Sequence, residues 1–201
     1  MKPDGEPVRR PSVGAMSVEE LRAEVARLGD ELIRAEWRIA ELEARADVDP
    51  MLDIFNRRGF ERELRRSLAF IKRYDAKAAL VFIDLDGFKA VNDRHGHAAG
   101  DGLLKEVARQ LTANVRASDV AARYGGDEFA VILWHIAEEQ ALMKARHLED
   151  VIAATAVEHA GTRLSVGASA GTVQLTPGIA VADAVESADR AMYARKRERR
   201  G

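Results

Sequence analysis

A β-hairpin is predicted by the sequence Arg123-Tyr124-Gly125-Gly126-Asp127-Glu128-Phe129-Ala130-Val131-Ile132-Leu133. Two short and largely apolar segments, Val120–Tyr124 and Phe129–Leu133, flank a pair of glycines, which can supply the positive φ angles of a two-residue turn. The carboxylates of Asp127 and Glu128 follow that turn directly. Because glycine has no side chain, a bulky anion could approach this backbone closely, and the carboxylates could hold a hard divalent cation against it. The alternative is a solvated hairpin tip that binds nothing.

The composition suits one domain of ordinary size with an appendage, because the chain has 201 residues and is 47% hydrophobic. The 31 basic and 33 acidic residues nearly balance, which argues against a general nucleic-acid binder. The lack of cysteine excludes disulfides and thiolate metal sites. No apolar run is long enough to cross a bilayer and no signal-peptide pattern opens the chain. We therefore expect a soluble cytoplasmic protein without a membrane partner.

The N-terminal part of the sequence predicts a stalk. Residues 1–16 hold three of the five prolines and are interpreted as a disordered leader. Ser17 and Glu20 have the spacing of a capping box. Apolar residues then recur in alternating steps of three and four, at Val18, Leu21, Val25, Leu28, Leu32, Ala35, Ile39, Leu42 and Ala46. This period favours a parallel two-stranded coiled coil over residues 17–48, and the alternative is an amphipathic helix packed on its own domain.

The rest of the chain, residues 49–201, is predicted to be one domain that begins next to Pro50, since proline disfavours helical geometry before it. The predicted elements are helix 59–74, strand 78–83, helix 88–93, loop 94–97, a helix opened by Gly100-Asp101-Gly102, the hairpin, helix 137–157, strand 164–173, and a last helix through Val181 and Met192. This mixed order favours an α+β fold, a sheet with helices on its faces.

Acidic residues follow or precede apolar strands at two places that are distant in sequence. Asp84 follows one predicted strand, and Asp127 and Glu128 lie at the hairpin turn. Adjacent strands would bring these carboxylates together, as a site for two divalent ions on a nucleoside triphosphate requires. Lys89 could face phosphate oxygens, and Lys196 and Arg200, four residues apart, share a helix face that suits more phosphate charge. Taken singly, each of these residues is more often a solvated surface charge.

Several spaced motifs together resemble the GGDEF family of diguanylate cyclases over residues 49–201. The family signature is complete as Gly125-Gly126-Asp127-Glu128-Phe129, and the upstream and downstream family positions are matched by Ile83-Asp84-Leu85-Asp86-Gly87-Phe88-Lys89, Val91-Asn92-Asp93, Gly96-His97, Gly100-Asp101, Ser169-Ala170-Gly171 and Ala191-Met192-Tyr193. The resemblance implies a fold like the palm of nucleotide polymerases and class III cyclases, with a mostly antiparallel central sheet. It also implies the condensation of two GTP molecules into cyclic di-GMP with release of two pyrophosphates.

The resemblance assigns roles to individual residues. Asp84, the Leu85 carbonyl and Asp127, with Glu128, would hold two Mg²⁺ ions per active site, and Mn²⁺ could replace them. Asn92 and Asp101 would bind the guanine edge, with His97 nearby. The remaining substrate contacts would come from Lys89 at the transition state, from Lys196 and Arg200 at the triphosphate, and from Phe88, Gly125 and Gly126. Asp127 is favoured over Glu128 as the base that deprotonates the attacking 3′-hydroxyl, but both stay open.

The family also implies regulation, because each domain binds one GTP and two domains must face each other. A parallel stalk homodimer would raise the effective concentration of one domain near the other. Arg116 and Asp119 resemble the RxxD site at which cyclic di-GMP inhibits the enzyme. The main alternative is a catalytically idle module that only binds cyclic di-GMP. A structural coiled-coil dimeriser and a cyclase for another nucleotide are further alternatives.

Two departures from the family pattern are visible in the sequence. At the stalk junction, Asp49-Pro50-Met51-Leu52-Asp53-Ile54 replaces the usual Asp-x-Leu-Thr-Gly-Leu, so a threonine and a glycine are missing. Near the C-terminus, Arg195 and Arg199 stand where the family has small residues.

Overall fold

The computed structural model describes residues 17–200, with the backbone alone at residues 39–45 and 200. The predicted leader, residues 1–16, and the side chains of Ile39, Leu42 and Arg200 lie outside the described part. The chain divides into two compact units, residues 1–45 and residues 46–201. Within residues 17–200, no helix is both long enough and apolar enough to cross a membrane.

In the first unit, the predicted stalk is helical as α1, Val18–Ala46. The predicted capping box is confirmed, because the Glu20 carboxylate accepts from the Ser17 N–H at 2.7 Å and the Ser17 hydroxyl accepts from the Glu20 N–H at 3.3 Å. These bonds lower the pKa of Glu20 below its ordinary value. Several apolar side chains of the predicted seam are exposed in the single chain, among them Val18, Val25 and Leu32.

The second unit contains the remaining elements. They are α2 (Arg57–Tyr74), β1 (Ala78–Asp86), α3 (Phe88–His95), α4 (His97–Ala113), β2 (Val120–Arg123), β3 (Glu128–Trp134), α5 (Glu138–Ala154), β4 (Ala156–His159), β5 (Thr162–Ser165), β6 (Gly167–Leu175) and α6 (Val181–Arg200). The main sheet has four strands in the order β2-β3-β1-β6, and every pairing in it is antiparallel. Strands β4 and β5 form a separate hairpin.

The strand β1 lies inside the sheet and is buried on both faces through Ile83. Its side chains alternate between two apolar clusters, because successive residues of a strand point to opposite faces. Leu80 and Phe82 pack with residues of α2 and α6, whereas Val81 and Ile83 pack with residues of α4 and α5. The main sheet therefore has helices on both faces, as the α+β prediction requires.

The hairpin is confirmed, but the reason given for its glycines was wrong. Residues 124–127 form the loop between β2 and β3, which the Tyr124 N–H closes by bonding to the Glu128 carbonyl at 2.8 Å. Neither Gly125 nor Gly126 has a positive φ angle. The lack of a side chain at Gly125 instead leaves room for the Glu128 carboxylate, which would have to move if a Cβ were added there, while a Cβ on Gly126 would meet only open space.

Several predicted boundaries differ from the structure, and the single strand predicted at 164–173 is two strands, β5 and β6, which belong to different sheets. The loop predicted at 94–97 is a single break at Gly96, whose φ of 81° lets α3 end and α4 begin within one residue. The strand predicted to end at residue 83 continues to Asp86, because pairing with β6 persists to the end. The helix predicted to reach residue 157 ends at Ala154. The strand β4 was not predicted, and a turn of two positive-φ residues, Ala160 and Gly161, connects it to β5.

The altered junction sequence still forms a compact turn. The Asp49 carboxylate accepts from the Met51 and Leu52 N–H groups at 2.9 and 3.0 Å. Asp53, at the position of the family's glycine, has a φ of 54°. Aspartate is among the non-glycine residues that tolerate this conformation best. The missing glycine therefore does not remove the turn.

Candidate active site

The register of β1 and β3 brings the predicted carboxylates together. Asp84 and Glu128 are directly opposite each other in the antiparallel pair. Directly opposite residues share one face of a sheet, with Cβ atoms about 5 Å apart. The Asp127 carbonyl accepts from the Leu85 N–H at 3.1 Å, which fixes the hairpin loop at the end of β1. The predicted convergence of strand-end acids is therefore observed.

Burial and mutual repulsion raise the pKa of two carboxylates at this site, those of Glu128 and Asp84. Burial raises the pKa of Glu128, and the negative charges of Asp84, Asp127 and Asp189 raise it further. Burial also raises the pKa of Asp84, with Asp127 and Asp86 adding to the effect, although Lys196 opposes it. Lys196 at Asp84 and Arg57 at Glu128 only partly offset the effects of burial and of the neighbouring negative charges.

The cation that pairs with Asp84 is Lys196 on α6. Its ammonium bonds to Asp84 and lies 3.5 Å from an oxygen of Asp86. The other oxygen of Asp86 accepts from the Ser169 hydroxyl at 2.7 Å. Lys196 and Asp84 each retain only 17% of their side-chain exposure, so this pair is largely withdrawn from water.

A glycine allows α6 to pack directly on the sheet. A Cβ on Gly171 of β6 would collide with the α6 backbone, including the carbonyl carbon of Ala191 at 2.6 Å. Met192 and Ala188 on this part of α6 are buried. The close contact places the turn that carries Lys196 beside the end of β1.

Two residues that support the signature loop were not found by sequence analysis. The guanidinium of Arg123 donates to the Gly125 carbonyl at 3.1 Å and to the Gly126 carbonyl at 2.8 Å, and it forms an ion pair with Asp49 at 3.3 Å. The hydroxyl of Tyr124 donates to Glu61 at 3.0 Å. An arginine and a tyrosine before a glycine pair carry no specific signal, because Asp49 and Glu61, the side chains that hold them, are distant in sequence.

The donor set suits a hard divalent cation. Asp84, Asp127 and Glu128 offer carboxylate oxygens, and Mg²⁺ and Mn²⁺ prefer such ligands. The neighbouring negative charges and the lysine ammonium already bound to Asp84 both indicate a place where positive charge is stabilised. Among the residues whose side chains are described, however, no three acids or histidines converge tightly enough to form a ready metal cage.

A second group of predicted residues lies on α3 and α4. A Cβ on Gly100 would collide with the Asn92 side-chain oxygen and would lie 3.1 Å from Phe88. Asn92 therefore packs against the residue that precedes Asp101 in the sequence. His97, Asp101 and Lys89 are exposed, whereas Phe88 is buried in the core, where it supports the two helices instead of offering its ring to a ligand.

The predicted RxxD residues lie at the opposite end of the sheet. Asp119 accepts from the Trp134 N–H at 3.0 Å and from the Arg116 N–H at 2.8 Å. Trp134 and Glu128 are the two ends of β3, which places the two sites roughly 20 Å apart. The Arg116 side chain is exposed and lines open pockets of about 450 and 400 Å³.

An antiparallel sheet flanked by helices, with carboxylates at the ends of two neighbouring strands, defines the palm-like class of domains. The chain belongs to the GGDEF family, whose description is "Diguanylate cyclase, GGDEF domain" and which matches residues 46–201. The diguanylate cyclase TpbB of Pseudomonas aeruginosa is 37% identical over 205 residues, which cover 96% of this chain and 46% of that protein. The probable diguanylate cyclase DgcE of Escherichia coli is 40% identical over 164 residues, which cover 81% of this chain and 15% of that protein.

A solved structure extends the similarity to the stalk. The coiled coil and GGDEF domain of DgcB from Caulobacter crescentus, in complex with c-di-GMP, has a TM-score of 0.75 and 28% identity, and the match covers 89% of this chain and 95% of that one. The chain spans less than half the length of TpbB and of DgcE.

Proposed function

We propose that this chain is a diguanylate cyclase that condenses two GTP molecules into cyclic di-GMP and two pyrophosphates. The observation that carries the proposal is the register that sets Asp84 opposite Glu128, with Asp127 beside Leu85. The names of TpbB and DgcE support the same activity.

Asp84, the Leu85 carbonyl, Asp127 and Glu128 would hold the metal, with two Mg²⁺ ions per active site. When bound, these ions would neutralise phosphate charge and make the attacking 3′-hydroxyl more acidic. Asp127 is our proposed acceptor of the hydroxyl proton, and Glu128 helps to hold the metal or the triphosphate. The protein mainly supplies position and charge for in-line attack on the α-phosphorus.

Side chains of α3 and α4 would bind the base and the phosphates. Asn92 and Asp101 match the guanine edge, because a carboxylate accepts from N1 and N2 while an amide can donate and accept. Asn92 of α3 lies against Gly100, the neighbour of Asp101 in α4, which supports a shared role of Asn92 and Asp101 in binding guanine. His97 is the first residue of α4. Lys89 would stabilise developing phosphate charge.

Lys196 has a double role in this proposal. Before substrate binds, its ammonium offsets the charge of Asp84 and Asp86. With nucleotide present, it would exchange these partners for triphosphate oxygens, together with Arg200.

We also propose that the active form is a homodimer through a parallel coiled coil of α1. Val18, Val25 and Leu32 expose 60–69% of their surface in the single chain, and a second helix would cover them. Each domain binds one GTP, so the stalk would supply the second domain at high effective concentration.

Product inhibition is proposed at Arg116 and Asp119. Arginine can stack on guanine and donate to phosphate through the same planar group. The exposed Arg116 beside two open pockets supports this assignment.

Incubation of the purified chain with GTP and Mg²⁺, followed by chromatography of the products, tests the proposal. We expect cyclic di-GMP from the wild type and from the control Glu139→Gln, which changes an exposed carboxylate of α5. Glu128→Gln should reduce turnover by at least about 10²-fold, because it removes a charge from the reaction centre. Unchanged GTP from the folded wild type would reject the cyclase and leave the idle binding module.

A further inference from the structure

A buried carboxylate lies outside the proposed active site. Glu149 of α5 is only 3% exposed. One of its oxygens accepts from the Ala170 N–H at 2.8 Å, and Arg195 donates to its two oxygens at 3.4 and 3.2 Å. A carboxylate so far from water must be paired to be tolerated, and here a strand and a second helix supply the partners.

A second arginine of α6 joins the same carboxylate. The Arg199 guanidinium lies 3.5 Å from Glu149 and also donates to the Ala168 carbonyl. Ala168 and Ala170 belong to β6, which is an edge strand of the main sheet. Glu149, Arg195 and Arg199, here called the Glu149 clamp, therefore attach the end of α6 to that edge.

The clamp and the proposed active site share one turn of α6 and one stretch of β6. Lys196 follows Arg195 in the helix, and consecutive helical residues point about 100° apart. Arg195 thus faces Glu149 while Lys196 faces Asp84. Ser169, between the two β6 residues that the clamp holds, donates to Asp86, the second partner of Lys196.

We propose that the Glu149 clamp is a positioning device, which fixes the end of α6 so that Lys196 reaches Asp84 and, when nucleotide binds, the triphosphate. The inference rests on the proposed function. Helix ends fray readily, and a lysine on a fraying turn would have to be ordered each time that it binds phosphate. Arg195 and Arg199 are also two positions at which this helix departs from the family pattern described above.

The first test compares Arg195→Ala with Arg197→Ala in the full chain. Arg197 lies on the same turn but is exposed, so its loss removes the same charge without touching the clamp. We expect Arg195→Ala to weaken the binding of a non-hydrolysable GTP analogue, and to raise KM for GTP, by about tenfold, with a smaller change in kcat. Equal losses in both variants would overturn the proposal, because they would indicate an effect of net charge alone.

A double-variant cycle separates positioning from simple structural support. If the clamp acts through Lys196, Arg195→Ala should weaken analogue binding no further in a Lys196→Ala background. Losses that add in the double variant would overturn the proposal. Glu149→Gln keeps the shape of the side chain but removes its charge, and it should give the same result as Arg195→Ala. The proposal can therefore still be tested if one of the two variants does not fold.

The binding measurement also separates this inference from the proposed function. A wild type that binds the analogue but makes no cyclic di-GMP would reject the cyclase, yet the clamp could still be judged by affinity. A wild type that makes cyclic di-GMP while Arg195→Ala and Glu149→Gln bind the analogue normally would reject the clamp alone.

Discussion

The carboxylate of Glu128 is partly buried and lies near other carboxylates, which disfavours its ionised form. Burial and three neighbouring carboxylates raise its pKa, so the folded chain binds a proton there more tightly than the unfolded chain does. A raised carboxylate pKa means that folding is favoured when the group is protonated and disfavoured once it ionises. The residue that the proposed reaction needs therefore destabilises the metal-free fold at neutral pH.

Glu128→Gln should accordingly raise the melting temperature at pH 7 in the presence of a chelator. The gain should shrink as the pH falls through the raised pKa and should be absent below the ordinary value of 4.5, where glutamate is protonated in both states. Thermal unfolding of both proteins across this pH range measures the effect. A wild type that is more stable than the variant at pH 7 would contradict the charge arrangement.

At the proposed inhibitory site, Arg116 is a better probe than Asp119. Both carboxylate oxygens of Asp119 accept backbone N–H bonds, so its removal would damage the loop itself. Arg116→Ala should raise the inhibition constant of cyclic di-GMP about tenfold or more, because charge-assisted bonds to phosphate are lost. Rates at low product concentration should not change.

Inhibition assays with added cyclic di-GMP check this prediction, with the exposed Arg163→Ala of the small hairpin as the control for charge. An inhibition constant that is the same in Arg116→Ala and in the wild type would mean that the product acts elsewhere.

At the scale of elements, the contact between α6 and β6 sets the position of Lys196. Gly171→Ala should destabilise the fold by about 1–3 kcal/mol, because the new methyl group would meet the α6 backbone. Gly102→Ala is the matched control, since a Cβ there meets nothing within 4 Å and alanine favours the helix α4 by about 0.5–1 kcal/mol. Denaturant unfolding of the two variants should shift in opposite directions.

The elements show which parts of the fold a sequence can predict. The stalk helix, the signature hairpin and the core of β1 follow from local periodicity and from strong turn signals. The hairpin of β4 and β5 was missed because its turn begins with Ala160, which rarely adopts a positive φ angle. The glycines of the signature loop were found for the wrong reason, since only the packed structure shows that Glu128 occupies the space beside Gly125.

The candidate site shows the same division. The meeting of Asp84 with Glu128 could be predicted because both lie at the ends of apolar strands. The ion pairs and hydrogen bonds that join Arg123 to Asp49, Tyr124 to Glu61 and Arg195 to Glu149 could not be predicted, because the tertiary fold brings these distant residues together. Neither the type nor the spacing of these residues in the sequence indicates which distant side chains they contact.

For the whole molecule, activity should depend on the stalk. Removal of residues 1–46 should lower the specific activity about tenfold or more at low protein concentration, because the second domain is then no longer tethered. The difference should narrow as the concentration rises. Rates measured across a dilution series test this, and equal specific activity of the two proteins throughout would reject a role for the stalk in catalysis.

The proposed reaction requires Asp84 and Asp127 to hold metal beneath a guanosine triphosphate. The most direct measurement is a crystal structure with Mn²⁺ and a non-hydrolysable GTP analogue, in which anomalous scattering locates the metal. We expect peaks about 2.1 Å from the carboxylates of Asp84 and Asp127, with Lys196 moved from Asp84 to the phosphates. Bound nucleotide with no peak at these residues, and with Lys196 still on Asp84, would contradict the account.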